Sequence, residues 1–305
     1  MIVSVPTEEL AADVAALVDP ALGIEVVLWA TGEPPRPDVD LVVPPYMKQG
    51  EMLRAVADMR PRLIQGQAIG FDGVADVLPE GLVYANAASV HETATAELTL
   101  ALILAAQREL PRLVRNHDAG VWEKFWARGL ADHRVVMLGY GGVGKAIAER
   151  LAPFEVDLVP VASRARVENG VTVHAMDELA SLLPTAQILV NVLPGGPETH
   201  HLIGAAELAA LPDDALVVNV GRGPTVDSDA LVDALRTGRI RMASDVFDPE
   251  PLPADHPLWR LENALVAPHV GGLSAAMRPR IARLVAGQAE RLARGEAPIN
   301  VVLGG

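Results

Sequence analysis

Between residues 134 and 270 the chain repeats one pattern six times, a short apolar run followed by a segment of helical or turn character. The runs are RVVMLGYG (134–141), VDLVPVA (156–162), AQILVNV (186–192), ALVVNVG (215–221), RMASDVF (241–247) and ALVAPHV (264–270). Short runs this rich in Val, Leu and Ile read as strands buried on both faces, and strands alternating with helices form a parallel sheet covered on both sides. The block therefore predicts an α/β, doubly wound sheet. Five further runs, IVSV (2–5), EVVLWA (25–30), DLVVP (40–44), RLIQGQ (62–67) and LVYAN (82–86), predict a smaller α/β unit ahead of it. HETATAELTLALILAAQREL (91–110) reads as the long helix that carries the chain from the first unit into the second. After Gly272 a last helical pattern, LSAAMRPRIARLVAGQAERLARG, can bring the chain back to the first unit, so that the second is an insertion.

The chain has 305 residues, half of them hydrophobic, enough for two domains of about 100–200 residues each. A formal charge of −14 and a pI near 5.0 argue against a nucleic-acid or anionic-membrane surface, so any phosphate must be bound locally. There is no cysteine, which excludes thiol catalysis, thiolate metal sites and disulfides and is consistent with a cytoplasmic protein. The start, MIVSVPTEELAADVAALV, carries acids where an export signal carries a basic region. The longest apolar stretch, LTLALILAAQ (98–107), falls short of the ~20 residues that span a bilayer and reads as a helix buried between layers.

Gly139-Tyr140-Gly141-Gly142-Val143-Gly144 directly follows the strand RVVML and opens the helix GKAIAERLAPF. That context turns a common glycine spacing into a dinucleotide site. Gly139 permits the tight turn, Gly141 lets the ligand approach the backbone, Gly144 lets helix and strand pack closely, and the first-turn amides, those of Gly142 and Val143 among them, face a pyrophosphate. Some twenty residues on, NAD-binding members of such folds place a carboxylate that accepts hydrogen bonds from the ribose and repels a 2′-phosphate. Here VASRAR (161–166) offers Ser163, Arg164 and Arg166 instead, which favours NADP. If Glu168 neutralises one arginine and both are solvated turn residues, the cofactor is NAD.

Three later segments aim chemistry at one edge of the same sheet: Arg222 in VNVGRGPTVD, Asp245 and Glu250 in SDVFDPEPLP, and His269 in APHVGG each stand past the C-terminal end of an expected strand. A guanidinium can bind a carboxylate in a forked geometry, and a histidine backed by a carboxylate can act in proton transfer. The adjacent His200 and His201 cannot form a helical i,i+4 pair, and no metal site is expected.

Taken together, the loop IQGQAIGFDGV (64–74), TAELTLALILAAQR, the glycine cluster, VNVLPGGPETHHLI (190–203), VNVGRG, DVFDPEPLP and PHVGG resemble the D-isomer-specific 2-hydroxyacid dehydrogenase family, including the glyoxylate/hydroxypyruvate reductases, over essentially the whole chain. The resemblance implies a Rossmann doubly wound domain, residues 93–273, inserted into a smaller flavodoxin-like substrate domain, residues 1–92 and 274–305, with the active site in the cleft and a homodimer formed mainly through the nucleotide domains. It implies Arg222, Glu250 and His269 as the catalytic set, the backbone amides of Ile69 and Gly70 with Arg222 as the carboxylate site, Asp245 against the nicotinamide carboxamide, and Leu193 and Pro194 as the wall behind its ring. Tyr46 and Met47 are either pocket lining or core, and Trp122 and Trp126 are expected at the dimer contact. Two rival readings are a non-catalytic nucleotide sensor and an NAD-dependent formate or phosphite dehydrogenase. The filled catalytic positions disfavour the first. The second is disfavoured by Glu250 where the formate enzymes have glutamine, and by Gln67, Ala68 and Ile69 where the phosphite enzymes carry a lysine.

Overall fold

In the computed structural model, which describes residues 1–30, 32, 36–46, 49–57 and 59–304, the chain divides into two compact units, Met1–His91 with Gly272–Gly305, and Glu92–Gly271. The first segment supplies strands β1 (Ile2–Val5), β2 (Glu25–Leu28), β3 (Leu41–Val42), β4 (Leu63–Gln65) and β5 (Tyr84–Ala85), and helices α1 (Glu8–Leu17), α2 (Gln49–Ala55) and α3 (Val74–Val77).

The middle unit begins with α4 (Glu92–Gln107) and α5 (Leu110–Asp118). Its sheet is built from β6 (Arg134–Leu138), β7 (Asp157–Ala162), β8 (Arg166–Glu168), β9 (Val171–Ala175), β10 (Ile188–Asn191), β11 (Leu216–Asn219), β12 (Arg241–Ser244) and β13 (Ala264–Val266), with α6 (Gly142–Leu151), α7 (Leu179–Leu182), α8 (Ala205–Ala210) and α9 (Ser228–Arg236) between them. The last segment returns to the first unit with α10 (Met277–Ala293) and β14 (Val301–Leu303).

The sheet of the first unit runs β14-β5-β4-β3-β1-β2, parallel except where β14 meets β5. That of the middle unit runs β13-β12-β11-β10-β6-β7-β9-β8, parallel except for the β8–β9 hairpin. The six expected strands of this unit are thus joined by two more. Along β6, Val136 and Leu138 enter one apolar cluster while Val135 and Met137 enter the other. In the first unit Leu41 and Val42, and Leu63 and Ile64, divide in the same way. Period-two alternation with both faces apolar is what a sheet sandwiched between helices requires. Each fully buried aliphatic side chain contributes about 1.5–3 kcal/mol.

The order in which successive strands join the middle sheet reverses at β6, which has β7 on one side and β10 on the other. The turns beyond the carboxyl ends of β6 and β10 therefore flank the topological switch point, the place where open α/β sheets bind ligands.

Candidate active site

The glycine turn lies at that switch point. Gly139 adopts φ +103°, and a Cβ there would meet Val192 Cγ2 at 2.9 Å. A Cβ on Gly144 would run into the Gly139 carbonyl. Gly141, the exposed residue that caps α6, has no atom within 4 Å of its would-be Cβ. Two glycines thus serve close packing and one leaves backbone open to a ligand. The first turn of α6, with Gly142 and Val143, contains no acid of its own, but the Glu92 carboxylate of α4 stands beside it, Oε1 lying 3.1 Å from the would-be Cβ of Gly142. These features fit a dinucleotide pyrophosphate.

Beyond β7, Ser163 and Arg164 are exposed, and Arg164 makes no hydrogen bond or ion pair with the described residues. Arg166 opens β8 and is engaged: its Nε donates to Glu168 Oε2 at 3.0 Å and its NH2 to the Tyr140 carbonyl at 3.2 Å. Glu168 also accepts a hydrogen bond from Lys145 Nζ of α6 through Oε1. Lys145, and after it Arg166, hold the Glu168 carboxyl below its usual range.

The loops after β11, β12 and β13 carry the remaining groups. Asn219, at the end of β11, donates to the Arg222 carbonyl at 3.1 Å and accepts from the Gly221 amide at 3.1 Å. A Cβ on Gly221 would stand 2.5 Å from the Leu193 carbonyl oxygen, and one on Gly223 would collide with the Phe247 carbonyl, so the glycines flanking Arg222 let three loops approach closely. Arg222 NH1 donates to the Gly221 carbonyl at 2.7 Å.

Glu250 Oε1 accepts from the Phe247 amide at 2.8 Å, and its Oε2 accepts from His269 Nδ1 at 2.6 Å. Burial opposes ionisation of Glu250, but the bonds from His269 and Phe247 and the charges of His269 and Arg222 outweigh it and hold the carboxyl low. The hydrogen bond to Glu250 raises the His269 pKa, with the charges of Glu250 and Asp245 adding to it against burial and the Arg222 charge. An arginine, a carboxylate and a histidine are therefore brought within electrostatic reach of one another, and His269 Nε2 has no hydrogen-bond partner among the described residues.

Asp245 is nearly fully buried, and burial raises its pKa although it accepts from the Val270 and Gly271 amides at 2.7 Å each. Its own carbonyl receives the His269 amide at 2.9 Å. Both ends of this aspartate thus pin the turn in which His269 takes φ +52°.

Sequence reasoning missed a buried amide network beneath these loops. Asn191 and Asn219, opposite each other on β10 and β11, are joined by Nδ2–Oδ1 at 3.0 Å, and Asn191 Nδ2 also reaches Thr225 Oγ1 at 2.6 Å. Its signal was available: ILVN and LVVN each end an apolar strand in asparagine. Leu193 is buried, its amide bound to Asn191 Oδ1 at 3.2 Å, whereas Pro194 is exposed. In the first unit the Ile69 carbonyl accepts from Asn86 Nδ2 at 2.8 Å, while the amides of Ile69 and Gly70 find no acceptor among the described residues. The Tyr46 ring stacks on His91 at 5.6 Å; Met47 lies outside the described residues. His200 and His201 stack on each other at 4.0 Å.

A doubly wound sheet with a dinucleotide cradle, and a carboxylate-paired histidine on the adjoining strand ends, defines a nicotinamide-dependent dehydrogenase. The comparisons narrow the class. Residues 100–271 match the family model described as D-isomer specific 2-hydroxyacid dehydrogenase, NAD binding domain. The glyoxylate reductase of Aeropyrum pernix is 36% identical over 264 residues, covering 80% of this chain and 76% of that protein. The D-3-phosphoglycerate dehydrogenase of Methanocaldococcus jannaschii is 31% identical over 250 residues, covering 79% of this chain and 47% of that one. A D-isomer specific 2-hydroxyacid dehydrogenase from Xanthobacter autotrophicus, crystallised with NADPH and MES, superposes with a TM-score of 0.83 at 29% identity, covering 99% of this chain and 98% of that one. The chain belongs to the D-isomer specific 2-hydroxyacid dehydrogenase family, and it is an NAD(P)-dependent enzyme of that class.

Proposed function

We propose that this enzyme reduces a small 2-oxo acid of the glyoxylate or hydroxypyruvate kind to the D-2-hydroxy acid with NADPH, the unit Glu92–Gly271 holding the cofactor and the other unit serving the substrate. The observation that carries the reading is the His269–Glu250 pair at 2.6 Å beside Arg222. A bound reduced nicotinamide supplies the hydride that the carbonyl carbon receives. Arg222 binds the substrate carboxylate and polarises the neighbouring carbonyl with one planar cation. Its charge lowers the pKa of His269, but the hydrogen bond to Glu250 raises it by more, so the net shift favours the imidazolium. His269 donates the proton from Nε2 to the carbonyl oxygen as the C–H bond forms, leaving a neutral ring whose Nδ1 proton stays on the Glu250 side. In the oxidative direction neutral His269 takes the alcohol proton back. The amides of Ile69 and Gly70, which have no acceptor among the described residues, suit a carboxylate oxygen. Asp245 keeps the His269 turn in place and has lone pairs left for a carboxamide donor. The buried Leu193 serves as the apolar wall of the ring site, with Pro194 beside it.

Preference for NADPH rests on Ser163 and on Arg164, whose guanidinium is unpaired among the described residues, with Arg166 beside them. The enzyme works as a homodimer in the cytoplasm, in keeping with its exposed tryptophans and cysteine-free chain. Mixing the purified protein with NADPH and a panel of 2-oxo acids, a phosphorylated one included, should consume the reduced cofactor with small unbranched acids. Inactivity across the whole panel would remove the reading, and turnover of formate or phosphite with NAD would replace it.

A further inference from the structure

The Lys145–Glu168–Arg166 cluster is not explained by the chemistry above. One carboxylate engages two cations through different oxygens, Oε1 toward Lys145 and Oε2 toward Arg166. Lys145 directly follows Gly144 on α6, and Arg166 is hydrogen-bonded to the Tyr140 carbonyl inside the glycine turn. The carboxylate therefore lies against the glycine turn, a few residues along from Ser163 and Arg164, at the end of the site where the adenosine ribose of a dinucleotide belongs. No other acid hydrogen-bonds to either cation among the described residues.

We propose that Glu168 is a specificity-determining residue of the cofactor site: its carboxylate occupies Lys145 and Arg166 as an internal anion and competes with the 2′-phosphate of NADP(H). The inference rests on the NADPH reading above and deepens it. A phosphate monoester carries up to two negative charges and three acceptor oxygens, so it can take the same two cations together with Arg164 and the Ser163 hydroxyl. With Glu168 ionised, the three cations and one anion sum to two positive charges, and two of the cations are already engaged. The 2′-phosphate must displace the carboxylate or settle for Arg164 and Ser163, close to a negative charge. The ribose 2′-hydroxyl of NAD(H) meets no such opposition. This chain accordingly discriminates between the two cofactors less than the sequence VASRAR suggests.

Calorimetric titration with NADPH and with NADH tests the competition directly. Glu168→Gln keeps the shape and removes the charge, and should lower the Kd for NADPH about tenfold at low ionic strength, with the gain shrinking as salt is added. NADH affinity should not rise. Adding Lys145→Gln to Glu168→Gln restores the original charge and should cancel most of the gain, which loosening of the hairpin would not do. The inference is overturned if Glu168→Gln leaves NADPH affinity unchanged or weakens it, or if it tightens both cofactors equally. Normal titration behaviour with no turnover of any 2-oxo acid would sink the proposed function and leave this competition standing. Failure of the wild type and both variants to bind NADPH would sink both.

Discussion

In the proposed reaction His269 delivers a proton at neutral pH, and that depends on what stands behind its other nitrogen. For His269 that is Glu250, which raises the ring's pKa against the opposing effects of burial and Arg222. Reduction needs the imidazolium, so reductive kcat/KM should fall as pH rises through the His269 pKa, and the raised value places that limb higher than an isolated imidazole would. Glu250→Gln preserves an acceptor for Nδ1 but removes the charge. The reductive limb should therefore move to lower pH, and oxidation, which needs the neutral ring, should become effective at lower pH as well. A pair of pH profiles checks both, and unchanged limbs would free Glu250 of this role. His269→Ala should reduce turnover by about 10²–10⁴-fold, the usual contribution of general acid catalysis, while sparing cofactor affinity. Arg164 permits a separate test at the other end of the site. A hydrogen bond to a charged group is worth about 1.5–3 kcal/mol, so Arg164→Ala should raise the KM for NADPH by roughly tenfold or more and leave NADH nearly unchanged.

At the scale of elements, the glycine turn separates packing from ligand approach. Gly144→Ala forces a methyl against the Gly139 carbonyl and should destabilise the fold by about 1–3 kcal/mol even without cofactor. Gly141→Ala places its methyl in open space, so the unliganded melting temperature should stay put while the stabilisation produced by added NADPH is lost. Differential scanning fluorimetry with and without cofactor distinguishes the two, and parallel behaviour would refute the assignment. The same elements show what sequence can carry. Strands β6, β10 and β11 were legible because burial on both faces forces unbroken apolar runs such as RVVML, ILVN and LVVN. The β8–β9 hairpin was not, since RVE and VTVHA are short and mostly half-buried or exposed, and only Val173 of the two strands is fully buried. Its ion pairs set the state of Arg166, so missing the hairpin meant missing the engagement of that arginine. The glycines beside Arg222 were legible as motif, but the carbonyls of Leu193 and Phe247 that demand them come from distant segments and needed coordinates.

At the scale of the whole molecule, the surface of the middle unit displays two large aromatic side chains. Trp122 is 92% exposed and Trp126 fully so, and Val114 and Val121 nearby are more than half exposed. Their segment is not a helix despite the i,i+4 spacing of the tryptophans. It is nonetheless fixed to α5: the Val121 amide binds the Asn116 carbonyl at 2.8 Å, Arg112 grips Glu123 at 2.5 Å, and the Arg112 guanidinium lies 4.1 Å from the centre of the Phe125 ring. A loop held this firmly, yet showing two indoles to water, is preorganised to bury them, and each indole removes roughly 150–250 Å² from solvent when covered. Patches beyond a few hundred Å² are rarely left open on monomers, and the proposed homodimer would cover these indoles with a second copy of the chain. Truncating an aromatic anchor typically costs about 2 kcal/mol or more, so replacing both tryptophans by serine, which removes four indoles from a symmetric dimer, should weaken self-association by at least roughly a thousandfold. Sedimentation velocity at micromolar concentration should then show a dimer for the native chain and a monomer for Trp122→Ser with Trp126→Ser, each with unaltered secondary structure. A native chain that sediments as a monomer, or a double variant that stays dimeric, would place the contact elsewhere and leave these tryptophans for another partner.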